Sequence, residues 1–149
     1  MVKEALAYKI KNVYTRQDWK KYFPGPEVQV VPELPYQGDN RWDNPFHWGS
    51  GPYALLLSAI MEPNECHLVG FDLHSSTSTV NNIYKGTDNY VDKNHRPVDP
   101  KYWVQQNAKI YELFPNIKFV IYNTPEWELP ENWKLPNVTK KQIKDLTYS

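Results

Sequence analysis

The residues best suited to chemistry form a Gly-Ser-Gly turn and a strand that ends in a carboxylate. Gly49-Ser50-Gly51 directly precedes an apolar helical stretch, and Asp72 ends a short apolar strand beginning at His67. The N–H groups that open a helix bind anions, so the turn predicts an anion site, although a tight turn with a Ser cap also explains it. A carboxylate at a buried strand end needs a partner. For Asp72, that partner is either a ligand or the N–H groups of the following loop.

A long polar segment, residues 73–99, supplies further candidates. It contains His74, Tyr84, Tyr90 and His95, and it follows the strand end directly. An imidazole titrates near neutral pH, so His95 is a candidate general base. A loop histidine that is merely solvated is the more common case, and the same two interpretations hold for His47 beside the turn.

Composition limits the classes of partner. The 149 residues carry 17 basic and 17 acidic side chains, with no net charge and a single cysteine, Cys66. A neutral chain argues against a protein held on nucleic acid by phosphate contacts, so we expect no nucleic-acid partner. No Cys or His spacing indicates a metal, and we expect no cofactor. The longest apolar run, residues 54–61, is far short of a membrane span. Without the pattern of a signal peptide, a cytoplasmic location is expected.

The elements that must position these residues alternate between strands and helices. Strands are predicted at residues 5–10, 28–31, 67–72 and 117–123, and helices at 16–23, 52–61, 100–114 and 140–146. This order predicts an α/β fold: a mostly parallel, Rossmann-like sheet of about four strands, with helices on both faces. We expect one domain over residues 1–149. Ligands bind such sheets beyond the carboxyl ends of the strands.

Several helix boundaries and faces are also predicted. Thr15, Ser50 and Asp99 are the expected N-caps of three helices, because their side-chain oxygens can accept an early helical N–H. The helix over residues 100–114 is the most clearly amphipathic of the chain. Its expected core residues are Trp103, Ala108, Ile110 or Tyr111, and Phe114.

Aromatic residues are unusually abundant. Six Trp and eleven Tyr occur, many of them in polar, Pro-rich segments such as the Trp-rich loop at residues 42–48. Aromatic side chains in loops line ligand sites and interfaces, or they cover a small core. Both interpretations stay open, and a homo-oligomer is compatible with them.

A family resemblance connects the turn to the strand end. The segment Trp48-Gly49-Ser50-Gly51-Pro52-Tyr53-Ala54-Leu55, followed about a dozen residues later by His67-Leu68-Val69-Gly70-Phe71-Asp72-Leu73, resembles bacterial lipo-oligosaccharide sialyltransferases of glycosyltransferase family 42. His95, the helix after it and the strand at 117–123 follow in the same order, so the resemblance covers residues 45–123. The whole chain also resembles small phage-encoded proteins.

This resemblance implies a metal-independent transferase that moves a sugar from a cytidine-type nucleotide to an acceptor hydroxyl of a glycan. It implies that Gly49, Ser50 and Gly51 bind the nucleotide and that Tyr84 or Tyr90 stabilises the departing phosphate. His74, where the family has a Tyr, is a further candidate contact. His95 would be the base and Asp72 a second catalytic residue. The family's Gly-rich nucleotide loop has no counterpart before residue 38. A non-catalytic module that binds a nucleotide, a glycan or a protein is therefore the alternative.

Overall fold

The structure is a computed structural model that describes residues 2–71 and 100–146. The chain divides into two compact units, residues 1–35 and 36–149. In the described ranges, helices alternate with parallel strands, so the fold is α/β with parallel strands, as predicted. These strands form two small sheets. The Rossmann-like arrangement with helices on both faces and the single domain stay predictions.

The N-terminal unit begins with a helix where a strand was predicted. Its elements are α1 (Val2–Ala7), β1 (Val13–Thr15), α2 (Gln17–Lys20) and β2 (Val28–Val30). The predicted strand at residues 5–10 is wrong. Its first part is the end of α1, because Ala and Leu favour a helix and the apolar alternation is weak. The chain leaves α1 at Lys9, which has a left-handed φ of 57°.

The two strands of this unit pair in parallel, with Thr15 opposite Val30. Thr15 is therefore a strand residue, and the N-cap of α2 is Arg16 instead of the predicted Thr15. Lys20 fixes the turn between α2 and β2. Its Nζ donates to the carbonyls of Phe23 at 3.1 Å, of Gly25 at 2.9 Å and of Val28 at 2.6 Å.

The C-terminal unit is built on a parallel sheet with β4 at its centre. Its elements are α3 (Ser50–Ile60), β3 (Glu65–Val69), α4 (Lys101–Leu113), β4 (Lys118–Asn123) and β5 (Val138–Gln142). The sheet order in the described part is β3-β4-β5. The predicted helices over residues 52–61 and 100–114 and the strand over 117–123 are confirmed within one or two residues.

The predicted C-terminal helix at residues 140–146 is wrong. Its first residues belong to β5, in which Val138 lies opposite Phe119, and a short 3₁₀ turn at Ile143–Asp145 follows. Lys and Gln favour helices by themselves. Pairing with the buried central strand β4 outweighs that local preference.

The core of this unit lies between α4 and β4. The Tyr111 ring is 4.8 Å from that of Phe119 and 5.4 Å from that of the fully buried Trp133. The Trp133 indole N–H donates to the Val104 carbonyl at 2.8 Å. Ala108, Ile110 and Tyr111 are buried as predicted, whereas the inward position predicted for Trp103 is wrong: its side chain is 37% exposed. None of the described helices is long and apolar enough to cross a membrane.

Candidate functional site

The N-terminus of α3 lies at the edge of the sheet where β3 ends. Residues 61–64 connect α3 to β3, so the helix and the strand run in opposite directions. A Cβ placed on Gly51 would lie 3.3 Å from the ring of Phe71, which follows β3. Gly70, between β3 and Phe71, has a φ of 82°, which a side chain would strain. The helix start and the strand end therefore meet, as expected for a ligand site in a parallel sheet.

The first turn of α3 leaves backbone donors at this edge. Gly49 is the N-cap, and the N–H of Tyr53 donates to its carbonyl at 3.3 Å. Ser50 and Gly51 have no earlier helical carbonyl to bond, and Pro52 has no N–H. The predicted cap at Ser50 is wrong, because Ser50 is already the first helical residue. The site thus offers two N–H groups and the positive end of the helix dipole.

Aromatic rings contact both glycines of this turn. The indole of Trp103 packs directly against Gly49: a Cβ at that position would lie 2.8 Å from the indole Nε1. Gly49 has an ordinary extended backbone, with φ −82° and ψ 174°. The close approach of the indole, and not the backbone angle, is what requires glycine. The ring of Phe71 contacts Gly51.

The loop before α3 is anchored to α4. The Gln106 Nε2 donates to the carbonyls of Trp42 at 3.2 Å and of His47 at 3.1 Å. The Trp48 indole also donates to the Trp42 carbonyl, at 3.1 Å, and its ring lies 5.4 Å from that of Tyr53. Trp48 is buried and belongs to the core. The most exposed aromatic side chain of the loop is Phe46, at 61%.

His47 lies two residues before the N-cap of α3. Its Nε2 accepts from the Arg41 Nε at 3.4 Å, and its ring meets the Tyr102 ring edge-to-face at 6.0 Å. Of the predicted site residues, the structure brings together Gly49, Ser50 and Gly51. The others lie outside the described residues: Asp72, His74, Tyr84, Tyr90 and His95.

Buried amides form a set that the sequence analysis missed. Four side-chain atoms are buried and have no hydrogen-bond partner within residues 2–71 and 100–146: the Gln106 Oε1, both polar atoms of Asn107 and the Asn123 Nδ2. Asn123 ends β4, and its Oδ1 accepts from the N–H of Thr124 at 2.7 Å. Buried polar groups normally find a partner, so these unpaired atoms indicate positions where water or a ligand could bind. The sequence does contain one signal of this set: Asn107 lies four residues after Trp103, on the predicted inner face of the amphipathic helix.

The Tyr36 hydroxyl and the Asp43 carboxylate are both buried. Asp43 is buried, and its carboxylate accepts from the Asn40 N–H at 3.1 Å. Burial first, and then the negative charge of Asp43, raises the pKa of Tyr36. Tyr36 is therefore a neutral phenol at physiological pH. Within residues 2–71 and 100–146, no three His, Cys, Asp or Glu side chains come together to hold a metal ion.

No protein-family model, curated protein or solved structure matches this chain. Its function therefore has to be inferred from the geometry at the start of α3 and from the sequence resemblance. That geometry combines backbone donors without a partner inside α3, a helix dipole and two aromatic rings. Such a set suits a ligand that has both an anionic group and a flat or apolar ring.

Proposed function

We propose that the C-terminal unit binds a cytidine-type nucleotide-activated sugar at the start of α3, and that the protein is a glycosyltransferase-like domain. The observation that carries this proposal is the contact of Trp103 with Gly49 and of Phe71 with Gly51 in the turn that opens α3. A sugar nucleotide has an anionic phosphate between two rings. The turn offers anion donors next to two aromatic side chains, which suits a ligand of this kind.

In this proposal the N–H groups of Ser50 and Gly51 bind the phosphate. A helix N-terminus stabilises a negative charge by about 0.3–1 kcal/mol when exposed, and by up to about 2 kcal/mol when partly buried. Stacking of the base on Trp103 would add about 1–3 kcal/mol. These contributions favour binding without a metal ion, in line with the absence of an Asp-x-Asp pair from the sequence.

The sequence resemblance supplies the chemical step of the proposal. The acceptor hydroxyl oxygen attacks the anomeric carbon as the bond from that carbon to the phosphate oxygen breaks. His95 takes the hydroxyl proton, and the nucleoside monophosphate leaves with the electron pair. Asp72 acts as a second catalytic residue, and His74, Tyr84 and Tyr90 contact the nucleotide. We also propose that the protein is located in the cytoplasm, which is the cytoplasm of the host cell if a phage encodes it.

Calorimetric titration with cytidine and uridine nucleotides tests the binding step. We expect cytidine nucleotides to bind, and Trp103→Ala to weaken binding about 5- to 150-fold through lost stacking. Gly49→Ala should also weaken binding, because its Cβ displaces the indole without disturbing the backbone. Ser58→Ala is the matched control, since the Ser58 hydroxyl donates only to the Ala54 carbonyl further along α3. Absence of nucleotide binding would remove this proposal.

Activity is tested separately from binding. Release of nucleoside monophosphate from a cytidine-activated sugar, in the presence of a glycan acceptor, would support a transferase. His95→Ala should abolish release while leaving nucleotide affinity within a few-fold. Tight nucleotide binding with no release would favour the non-catalytic alternative.

The exposure of Phe46 favours a second candidate, a module that binds a glycan or a protein through the loop at residues 42–48. Exposed aromatic side chains are enriched at binding surfaces. In that case Phe46→Ala would abolish binding of a glycan or protein partner, and Trp103→Ala would not. Trp48 is unsuitable for this test, because its buried ring supports the fold.

A further inference from the structure

The N-terminal unit exposes aromatic side chains around an open groove. Trp19 is 49% exposed and Tyr22 63%, although both are large rings that proteins usually cover. The groove has a volume of about 570 Å³ and is lined by Lys3, Asp18, Trp19, Lys21, Tyr22 and Phe23. This volume lies within the range of ligand sites, roughly 300–1,000 Å³. The proposed nucleotide-sugar site makes no use of this groove.

The two exposed rings cannot cover each other. The centroids of Trp19 and Tyr22 are 5.7 Å apart, and the ring planes are inclined by 60°. In this edge-to-face contact the edge of one ring lies against a face of the other, so each ring keeps at least one face free of the contact. The Lys21 ammonium lies over one face of the Tyr22 ring, 5.0 Å from its centroid, so a flat ligand group would stack on the opposite face. The groove therefore combines aromatic rings with a lysine ammonium group.

Hydrogen bonds hold the walls of the groove in place. Three carbonyls accept from Lys20, which fixes the turn after Tyr22. Arg16 binds the Asp18 carboxylate through two nitrogens, at 3.2 Å and 3.1 Å. Because Asp18 is neutralised by Arg16, the charges left on the lining are the ammonium groups of Lys3 and Lys21. The lining is thus aromatic and cationic.

The chain has no net charge, but the N-terminal unit has a local excess of basic residues. Residues 1–35 contain six Lys and Arg against four Asp and Glu, and the remaining residues carry the opposite excess. Aromatic and basic residues are also interleaved here, in Tyr8-Lys9-Ile10-Lys11 and in Trp19-Lys20-Lys21-Tyr22. Alternating flat surfaces and cations match a polymer that alternates flat bases with phosphates.

We propose that this groove binds single-stranded nucleic acid, with bases on Trp19 and Tyr22 and phosphates on Lys3 and Lys21. A neutral glycan would give the lysines nothing to pair with, and an acidic peptide would supply charge without a flat face for each ring. A duplex keeps its bases stacked, and an excess of two charges is too small for binding through phosphates alone. The proposal revises the expectation of no nucleic-acid partner, which rested on the charge of the whole chain.

Fluorescence anisotropy with a labelled oligothymidylate of about 12 nucleotides tests the proposal on the full chain. We expect the oligonucleotide to bind. A plot of the logarithm of the association constant against the logarithm of the salt concentration should have a slope of about −1.4, for two phosphate contacts. Trp19→Ala should weaken binding about 5- to 150-fold and leave the slope unchanged. Lys21→Ala should reduce the slope to about −0.7. Ile143→Ala and Lys144→Ala remove an exposed apolar side chain and an exposed cation from the other unit, and should change neither quantity.

Other results would overturn the proposal. They are absence of oligonucleotide binding, equal affinity for the duplex, and binding that Trp19→Ala does not change. Binding of a sulfated oligosaccharide instead, lost in Trp19→Ala, would assign the groove to an anionic glycan. Because Trp19 and Tyr22 are largely exposed, their substitution should leave the circular dichroism spectrum unchanged. Failure of this test leaves the proposed nucleotide-sugar site unaffected, since the two sites share no residue.

Discussion

His67 on β3 holds the phenol of Tyr122 on β4, with 2.9 Å between the imidazole Nδ1 and the hydroxyl oxygen. The two rings are nearly parallel, inclined by 21°. On the other side, the His67 Nε2 lies 3.0 Å from a Glu65 carboxylate oxygen, and the Lys118 ammonium lies 3.3 Å from the second oxygen. With a neutral imidazole, Nε2–H donates to the carboxylate and Nδ1 accepts from the phenol. Polar groups are thus linked across the surface of the sheet.

The two partners of this hydrogen bond should differ in their contribution to stability. Tyr122 is 4% exposed, so His67→Ala leaves a buried hydroxyl unpaired, which costs about 1–3 kcal/mol. Tyr122→Phe leaves only an exposed imidazole nitrogen that water can bind, and it should cost about 0.5–1.5 kcal/mol. Urea unfolding followed by circular dichroism measures both changes, with His47→Ala as the control. A larger loss from Tyr122→Phe would contradict this interpretation.

Glu65 should make the stability of the sheet sensitive to acid. Its hydrogen bond with His67, followed by the bond and the charge of Lys118, lowers the pKa of the Glu65 carboxyl. A carboxyl with a lowered pKa in the folded state adds stability above its ordinary pKa of about 4.3, and that stability is lost as the pH falls through the lowered value. Glu65→Gln should therefore flatten the acid side of a plot of melting temperature against pH. The exposed Glu112→Gln is the control, and an equal effect of both variants would refute the prediction.

Long elements could be predicted from the sequence because local pattern and tertiary packing agree in them. The apolar run of α3, the amphipathic spacing of α4 and the β-branched and aromatic residues of β4 all indicate the structure that forms. In β5, Val138 alone is fully buried and lysines follow it, so the segment has little apolar signal of its own. Its strand exists because β4 offers an open edge. No local pattern contains that information.

Of the candidate site, only the backbone at the start of α3 could be predicted from the sequence. Two glycines around a serine before an apolar helix indicate a helix start with free N–H groups, and the structure has this feature. The rings beside it were not predictable, because Trp103 reaches Gly49 across 54 positions of sequence. Helical spacing assigned Trp103 to the core, whereas its indole lies against the start of α3. Long-range contacts of this kind depend on how the helices pack.

Tyr111 should limit stability at alkaline pH. Burial raises the pKa of its phenol in the folded state, while the unfolded chain ionises near the ordinary value of about 10. Stability is therefore complete below about pH 10 and falls above it, by up to about 1.4 kcal/mol per pH unit. Tyr111→Phe should remove this dependence in alkaline unfolding experiments. Tyr8→Phe, which removes an exposed phenol, is the control.

The same variant should cost little at neutral pH. The Tyr111 hydroxyl comes close to the Asn107 amide, but neither group forms a hydrogen bond of good geometry. Removing a buried hydroxyl that lacks a partner is nearly neutral or stabilising. A loss above about 1.5 kcal/mol at pH 7 would show that the hydroxyl does have a partner in solution.

Asn137 should be essential for the end of α4. Its side-chain Nδ2 donates to the carbonyls of Tyr111 at 3.0 Å, of Phe114 at 3.1 Å and of Ile117 at 3.3 Å. The last carbonyls of a helix have no partner within the helix, and here an amide just before β5 supplies one. Asn137→Ala should therefore destabilise the protein by about 1–3 kcal/mol.

An isosteric variant separates the hydrogen bonds of Asn137 from its packing. Asn137→Asp keeps the shape of the side chain but directs a carboxylate at three carbonyl oxygens, so at pH 7 it should destabilise more than Asn137→Ala. Lowering the pH protonates the carboxyl, restores one donor and should recover part of the loss. Urea unfolding of both variants at pH 7 and near pH 4 measures the difference. Equal stability of Asp and Ala at both values would mean that Asn137 contributes by packing alone.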